Sequence, residues 1–183
     1  EGELFSVELF YGGDAGGKGD FFKGISSATD SRYGFRVTYT LSEPLNARAS
    51  FPVEQRLEDK IDSVRAVYRC PEGLMVGSNG VLLSREDRDG ESIFTWKTSY
   101  PMAYYLLSFS VADYRDYSFN APLTTPGDSV LVQNFIYNTD RVLEDAGEDI
   151  RMTSRLISAF SGLVSDYPFA AEKYGHCLAP MGG

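Results

Sequence analysis

The sequence predicts a mainly β protein: an antiparallel β-saddle or sandwich, followed by a strand and a long helix. In the first two thirds of the chain, apolar residues alternate at every second position in several short segments, as half-buried strands require. After residue 140 they recur every three or four positions, as on one face of a helix. The chain has 183 residues, 43% of them hydrophobic, which suffices for a buried core.

Alternation predicts the early strands. The segments with apolar residues on one face are 5–11, 33–39 and 64–70. The glycine-rich stretch 12–19 ends the first of them and contains a GxxxxGK pattern. A phosphate-binding loop needs Ser or Thr after the lysine, and Gly19 stands there instead. A flexible hairpin loop is therefore predicted.

Two turns and a central strand are predicted next. Asn79-Gly80 is typical of a hairpin turn between the apolar stretches on either side. The wholly polar stretch 85–91 is predicted as a second turn, leading into a strand at 93–97. The run 103–112 is apolar at nearly every position, which predicts a central strand covered on both faces.

The composition changes near residue 120, which predicts a domain boundary. Residues 1–120 form a partial β domain, 121–128 a Pro- and Gly-containing linker, and 129–183 the beginning of a second domain. A strand is expected at 130–137 and a helix start at Asn138–Asp140. The predicted buried face of that helix consists of Val142, Ala146, Ile150, Thr153, Ile157, Phe160 and Val164.

Charge and composition exclude several functions. The net charge of −9 repels phosphate backbones, so no nucleic-acid partner is expected. No run reaches the ~18 apolar residues that a membrane span needs. The single histidine, His176, is predicted to have a packing role and excludes a metal centre with two imidazoles, so no cofactor is expected in this chain. Cys70 and Cys177 are predicted to be unpaired thiols, and the compartment stays open.

One string of residues points to a family. Residues 39–52, YTLSEPLNARASFP, resemble the segment T-x-x-E-P-x-x-A-R-x-x-F-P of the zinc aminopeptidases that include aminopeptidase N and leukotriene hydrolase. Four more segments resemble that family in the same order, within roughly 35–112 and 130–183. They are Ser78-Asn79-Gly80, the stretch 95–106 with Pro101-Met102, the stretch 167–174 with Tyr167-Pro168-Phe169, and Met181-Gly182-Gly183.

The resemblance implies an architecture and an activity. Such enzymes begin with a β-saddle domain followed by a thermolysin-like catalytic domain, and this chain would stop before the zinc-binding HExxH helix. It would then be a fragment of a zinc-dependent aminopeptidase, which hydrolyses N-terminal residues from peptides. Zinc would belong to the full-length parent. The partners would be the missing catalytic and C-terminal domains and a peptide substrate.

The resemblance also implies site residues. Glu43 matches the acidic position that binds the substrate α-amine in the family, while Leu41 stands where a glutamine is expected. Gly182 and Gly183 stand where the exopeptidase segment begins and would lie along the substrate. Arg48 is expected to anchor the Glu43 turn by an ion pair. The alternative for Glu43 is a turn residue that caps neighbouring amides.

A second function remains open from the sequence. The chain would instead be a non-catalytic β-sandwich binding module for carbohydrate or protein. Its distinguishing marks would be an exposed aromatic platform on one sheet face and a Glu43 that is buried or paired internally.

Overall fold

The computed structural model describes residues 6–13 and 23–181. Within them the chain is mainly β, as predicted, with one long helix. The strands are β1 (Lys23–Thr29), β2 (Arg36–Ser42), β3 (Lys60–Ile61), β4 (Val64–Pro71), β5 (Met75–Ser78), β6 (Val81–Arg88), β7 (Glu91–Thr98), β8 (Met102–Ala103), β9 (Phe109–Ala112), β10 (Tyr114–Asp116), β11 (Phe119–Pro122), β12 (Ser129–Tyr137) and β13 (Tyr174–Cys177). The helix is α1 (Asp140–Leu163), and short 3-10 turns lie at Ala47–Ala49 and Tyr104–Leu106.

These strands form three larger sheets and one small one. The first sheet has the order β1-β2-β9-β5 and the second the order β4-β7-β6, both antiparallel. In the third sheet, β12 pairs antiparallel with β10 and β11, and parallel with β13. β3 pairs with β8. The predicted antiparallel β architecture followed by a strand and a long helix is confirmed.

The polar stretch predicted as a turn at 85–91 is mostly strand. Residues 85–88 belong to β6 and pair with β7, and only Asp89 and Gly90 form the turn. Both have positive φ angles, 56° and 79°, as a tight two-residue hairpin requires. Residues 85–88 of β6 are polar because their side chains are exposed. A prediction based on composition therefore missed this part of the strand.

The hairpin predicted at Asn79-Gly80 is wrong. The turn joins β5 to β6, but β5 pairs with β9 in the first sheet and β6 pairs with β7 in the second. The chain therefore passes from one sheet to another at Gly80. Its φ is +77°, and a Cβ atom there would collide with the backbone carbonyl of Lys97. The glycine is required by this close approach as well as by the turn.

The run 103–112 is not one continuous strand. β8 ends at Ala103, a 3-10 turn follows at Tyr104–Leu106, and β9 begins at Phe109. The side chain of Asn79 binds the interrupted segment: its Nδ2 donates to the Leu106 carbonyl at 3.1 Å, and its Oδ1 accepts from the Ser108 amide at 2.7 Å. These backbone groups are therefore not available to a neighbouring strand. β9 alone has the predicted central position, between β2 and β5.

The first predicted strand is also wrong in the part that the structure describes. Residues 6–13 form no regular element, and Val7, Leu9 and Phe10 are 66%, 60% and 88% exposed. Alternation by itself does not make a strand, because a strand needs a neighbour to pair with, and none of the described strands pairs with this segment. Residue 5 and the GxxxxGK stretch from residue 14 onward lie outside the described residues.

The predicted linker, 121–128, begins inside a strand of the third sheet, since residues 121 and 122 belong to β11. β11 runs to Pro122 and pairs with β12, and the loop between them is closed by the Leu123 amide donating to the Asp128 carbonyl at 3.1 Å. Asp166, after α1, accepts hydrogen bonds from the amide and hydroxyl of Thr124. The third sheet thus spans the proposed boundary, and the division of the chain into domains stays a prediction.

The helix α1 begins where predicted. Arg115 pairs with Asp140 at 2.7 Å and donates to the Thr139 carbonyl, which fixes the first turn. Val142 and Ile157 are buried, in agreement with the predicted face. Phe160 and Val164, predicted on the same face, are instead 61% and 80% exposed. No helix in the described residues is long and apolar enough to span a membrane.

Prediction: replacing Gly80 by Ala destabilises the chain more than replacing Gly73. Both glycines have positive φ, which costs a residue with a Cβ about 1–2 kcal/mol. Only at Gly80 does the added Cβ meet backbone, which adds about 1–3 kcal/mol of overpacking. Urea unfolding of the two variants measures the difference. Equal midpoints would show that the turn adjusts freely.

Candidate functional site

An open cavity of about 940 Å³ lies between the first and third sheets. Its wall is formed by residues of β2, β3, β5, β7, β8, β9, β12 and β13, together with the segments before β8 and before β13. Three charged side chains line it: Lys60, Glu172 and Lys173. His176 and the aromatic rings of Tyr100, Tyr167 and Phe169 also face it.

Lys173 joins three sheets through its ammonium group. The Nζ atom donates to the Ser78 carbonyl of β5 at 2.8 Å and to the Gln133 side-chain oxygen of β12 at 2.7 Å. It also lies 3.7 Å from the ring centroid of Trp96 in β7, a cation–π contact with a fully buried indole. The first, second and third sheets therefore meet at this one atom.

Burial makes the Lys173 ammonium group lose its proton more readily. Desolvation lowers its pKa from 10.5 to about 8, although the neighbouring Cys177 and Glu172 act in the opposite direction. Two acceptors and one ring face stabilise the charge without fully replacing water. The residue therefore changes its charge just above neutral pH.

Glu172 forms the second half of the same junction. Its carboxylate accepts hydrogen bonds from the Thr98 hydroxyl at 3.0 Å and from the Ser99 amide at 2.6 Å. Thr98 is the last residue of β7, and Ser99 follows it. Two consecutive residues thus fasten the segment before β13 to the second sheet, and we call Glu172 and Lys173 the junction pair.

His176 has a defined tautomer. Its Nδ1 lies 2.8 Å from Oδ1 of the buried Asn134. The amide nitrogen of Asn134 donates to the carbonyls of Tyr117 and Val132, so Oδ1 is the acceptor and Nδ1 of His176 donates. Desolvation lowers the pKa of His176, which favours the neutral ring. This arrangement fits the packing role predicted for the histidine.

Both cysteines are free, as predicted. Desolvation raises the pKa of Cys177 to about 11 against a small opposing effect of Lys173, and it also raises the pKa of Cys70. Cys177 packs against Gly77 of β5 so closely that a Cβ on the glycine would collide with its sulfur. The thiols are therefore packing groups between strands and not nucleophiles.

Glu43 is exposed on the turn that follows β2. Its backbone carbonyl accepts from the Asn46 amide at 2.9 Å, and the next carbonyl, of Pro44, accepts from the Tyr104 hydroxyl at 2.6 Å. Tyr105 and Leu106, which follow Tyr104, line the cavity, so the turn is attached next to the cavity wall, although neither Glu43 nor Pro44 lines it. Among the described residues, the Glu43 carboxylate makes neither a hydrogen bond nor an ion pair.

Arg48 anchors the loop after Glu43, but not by the predicted ion pair. Its Nε donates to the Val53 carbonyl at 3.0 Å, and its amide donates to the Gln55 side chain at 2.9 Å. Gln55 in turn donates to the Leu45 carbonyl. Within the described part of the chain, the guanidinium thus binds a backbone oxygen and not the carboxylate of Glu43.

Gly182 and Gly183 lie outside the described residues, which end at Met181. Met181 and Ala179 both line the cavity, so the described chain ends at its wall.

Zinc does not fit the described residues. Between residues 6–13 and 23–181, no three His, Cys, Asp or Glu side chains come together as metal ligands. His176 is directed by Asn134, and Cys177 keeps its proton. A zinc ion acting at this cavity would need ligands that these residues do not supply.

Solved structures resemble this chain in fold. The M1 zinc metallopeptidase from Deinococcus radiodurans superposes with a TM-score of 0.62 at 21% identity, over 80% of this chain and 32% of that chain. A mutant of a two-domain M1 zinc metallopeptidase bound to L-tryptophan gives 0.63 at 21% identity, over 90% and 36%. The mutant bound to L-arginine gives 0.62 at 19% identity, over 87% and 35%.

The likeness establishes the fold of this chain as that of part of an M1 zinc metallopeptidase. The chain spans about a third of the length of these neighbours. No protein-family model matches the sequence, and no curated protein matches it significantly. The expected resemblance to zinc aminopeptidases is therefore confirmed at the level of structure.

No role was predicted from the sequence for either residue of the junction pair. Lys173 belongs to the segment that resembles the family, but its contact with Trp96 spans 77 positions and leaves no local pattern. The role of Asn79 in holding the segment 106–108 was equally hidden, since the pair Asn-Gly also favours an ordinary hairpin.

Prediction: the emission of Trp96, the single tryptophan, titrates with a midpoint of about pH 8. The ammonium of Lys173 lies on the ring below that pH, and a neutral amine lies there above it. Lys173→Met should lose the transition. The control Lys97→Met, which removes an exposed charge next to Trp96 in sequence, should retain it. A transition that persists in Lys173→Met would refute the assignment.

Prediction: Cys177 is alkylated by iodoacetamide at pH 8 roughly one hundredfold more slowly in the folded chain than in urea. Raising the pKa from 9.0 to about 11 lowers the thiolate fraction by that factor. Cys70 should also be protected. Mass spectrometry of quenched samples measures both rates, and equal labelling with and without urea would contradict the burial of the thiols.

Proposed function

We propose that this chain is the part of a zinc-dependent aminopeptidase that caps the active site and recognises the α-amine of the substrate. One observation supports this most directly. Glu43 presents an exposed carboxylate, without a partner among the described residues, from a turn attached next to the cavity wall. A carboxylate in that setting is available to an external cation, and peptides carry one at the N-terminus.

The comparisons add chemical support to the amine assignment. Two of the similar structures hold L-tryptophan and L-arginine, which differ in side chain but share an α-amine. A carboxylate that binds this shared group would tolerate both. Leu41 stands where the family has a glutamine, so Glu43 would act here without a second polar side chain.

The C-terminal end of the chain belongs to the same proposal. Gly182 and Gly183 come directly after Met181, which lines the cavity, and would lie along a bound peptide like an added strand. The catalytic zinc, with its HExxH helix, and the remaining catalytic and C-terminal domains would belong to a longer parent. Residues 129–183 would begin that catalytic domain.

The alternative, a carbohydrate- or protein-binding β-sandwich, has less support. The most exposed aromatic residues among those described are Phe10, Tyr11, Phe160 and Phe169. They lie in a segment without regular structure, on α1 and in a loop, and thus form no platform on a sheet face. Glu43 is neither buried nor paired within the described residues. Both distinguishing marks of a binding module are missing there.

Prediction: in a full-length parent, Glu43→Ala raises KM for aminoacyl substrates about 10- to 100-fold, because a charge-assisted hydrogen bond contributes about 1.5–3 kcal/mol. The matched control is Glu54→Ala, which removes another exposed carboxylate from the loop after the Glu43 turn. Its kinetics should stay unchanged. Steady-state hydrolysis of an aminoacyl reporter measures both, and an unchanged KM in Glu43→Ala would remove this residue from the site.

A further inference from the structure

We propose that Lys173 is a positioning residue for Glu43, acting through a series of hydrogen bonds joined by short backbone segments that begins at the cavity wall. The inference rests on the proposed function only in assigning the α-amine to Glu43. Lys173 lies in the segment before β13, and Glu43 lies on the turn after β2. The two residues do not touch, so Lys173 can influence the position of Glu43 only through the groups between them.

The first link runs from Lys173 to the turn after β5. The ammonium holds the Ser78 carbonyl at 2.8 Å. The Ser78 hydroxyl donates to the Ser108 carbonyl at 2.7 Å and lies 3.0 Å from the Tyr68 hydroxyl. Ser78 is thereby held by Lys173, just before β13, by Ser108, just before β9, and by Tyr68 of β4.

The second link runs from that turn to the 3-10 segment. Asn79, directly after Ser78, binds the Leu106 carbonyl and the Ser108 amide through its side chain. A shift of Ser78 would move Asn79 with it and release one end of the 3-10 turn Tyr104–Leu106. That turn has little support of its own, because three residues form too few internal hydrogen bonds.

The last link reaches the candidate amine ligand. Tyr104, 2% exposed, donates its hydroxyl to the Pro44 carbonyl at 2.6 Å. Pro44 follows Glu43, and the Asn46 amide closes the same turn on the Glu43 carbonyl. The orientation of Glu43 therefore depends on where Tyr104 is held, and through Asn79 and Ser78 on Lys173.

Hydrogen exchange at the Asn46 amide tests the proposal without any ligand. In Lys173→Met, this amide should exchange on the order of tenfold faster, since the turn that it closes loses its distant support. The Tyr68 amide, within the β4–β7 pairing, should be unaffected, which separates a local effect from a general loss of stability. Lys173→Arg, which keeps the charge and the donors, should restore protection.

Two further variants complete the test. Lys60→Met removes a charge from the same cavity but from outside the series, and should leave Asn46 exchange unchanged. Tyr104→Phe removes only the last link and should accelerate Asn46 exchange by itself, even if Lys173→Met fails to fold. Combined with Lys173→Met, it should add little, because both changes act on one series.

Unchanged Asn46 exchange in Lys173→Met, or full additivity of the two variants, would overturn the inference. Neither result would bear on the kinetics of Glu43→Ala, which test the amine assignment separately. Unaltered KM in Glu43→Ala with accelerated exchange in Lys173→Met would support the positioning series and refute the proposed role of its end point.

Discussion

The junction pair is the contact on which the arrangement of the sheets depends. Each of the three larger sheets presents a different acceptor to Lys173: a backbone carbonyl, a side-chain amide oxygen and an indole face. A buried cation without such partners would cost several kcal/mol, so the three sheets must stay together for the charge to be tolerated. The lowered pKa of Lys173 shows that compensation is incomplete. The contact specifies an arrangement more than it adds stability.

Close packing around the junction pair limits how the sheets can move. The Gly77 backbone packs directly on the side chains of Cys177 and Phe135, and Gly80 packs on the backbone of Lys97. Because of this direct packing, neither approach leaves room for a Cβ. The cavity therefore has a rigid floor, while its rim consists of turns held by individual hydrogen bonds.

Prediction from sequence succeeded where local patterns determine structure and failed where a distant partner does. Alternation at 64–70 and the spacing of Val142 and Ile157 predicted β4 and α1, because strand faces and helix faces follow the chain period. The pair Asn79-Gly80 predicted the turn but not the pairing of the strands beside it, since β5 pairs with β9, whose residues lie up to 37 positions away. The segment interrupted at Tyr104–Leu106 is bound by the Asn79 side chain, a contact that the run 103–112 does not indicate.

In the candidate site, too, local features were predicted from the sequence and contacts between distant residues were not. The position of Glu43 on a turn was evident from Glu43-Pro44, but its attachment to Tyr104, 60 positions on, was not. Two apolar surfaces also escaped prediction: the segment 6–13 and the flank of α1 with Met152, Leu156, Phe160 and Leu163. Periodicity identifies residues that suit an interface, but it does not indicate whether the surface that packs against them lies among the described residues.

The exposure of Glu43 determines how an amine could be recognised. An ion pair between exposed groups contributes about 0–1 kcal/mol, too little for selective binding in water. The same pair gains strength when neighbouring groups exclude water, since the effective dielectric constant falls. In this chain the turn that carries Glu43 follows β2 of the first sheet and is held by Tyr104 of the 3-10 turn, while Glu43 itself is exposed. If Glu43 binds an amine, selective binding would therefore require a second surface that excludes water from the carboxylate.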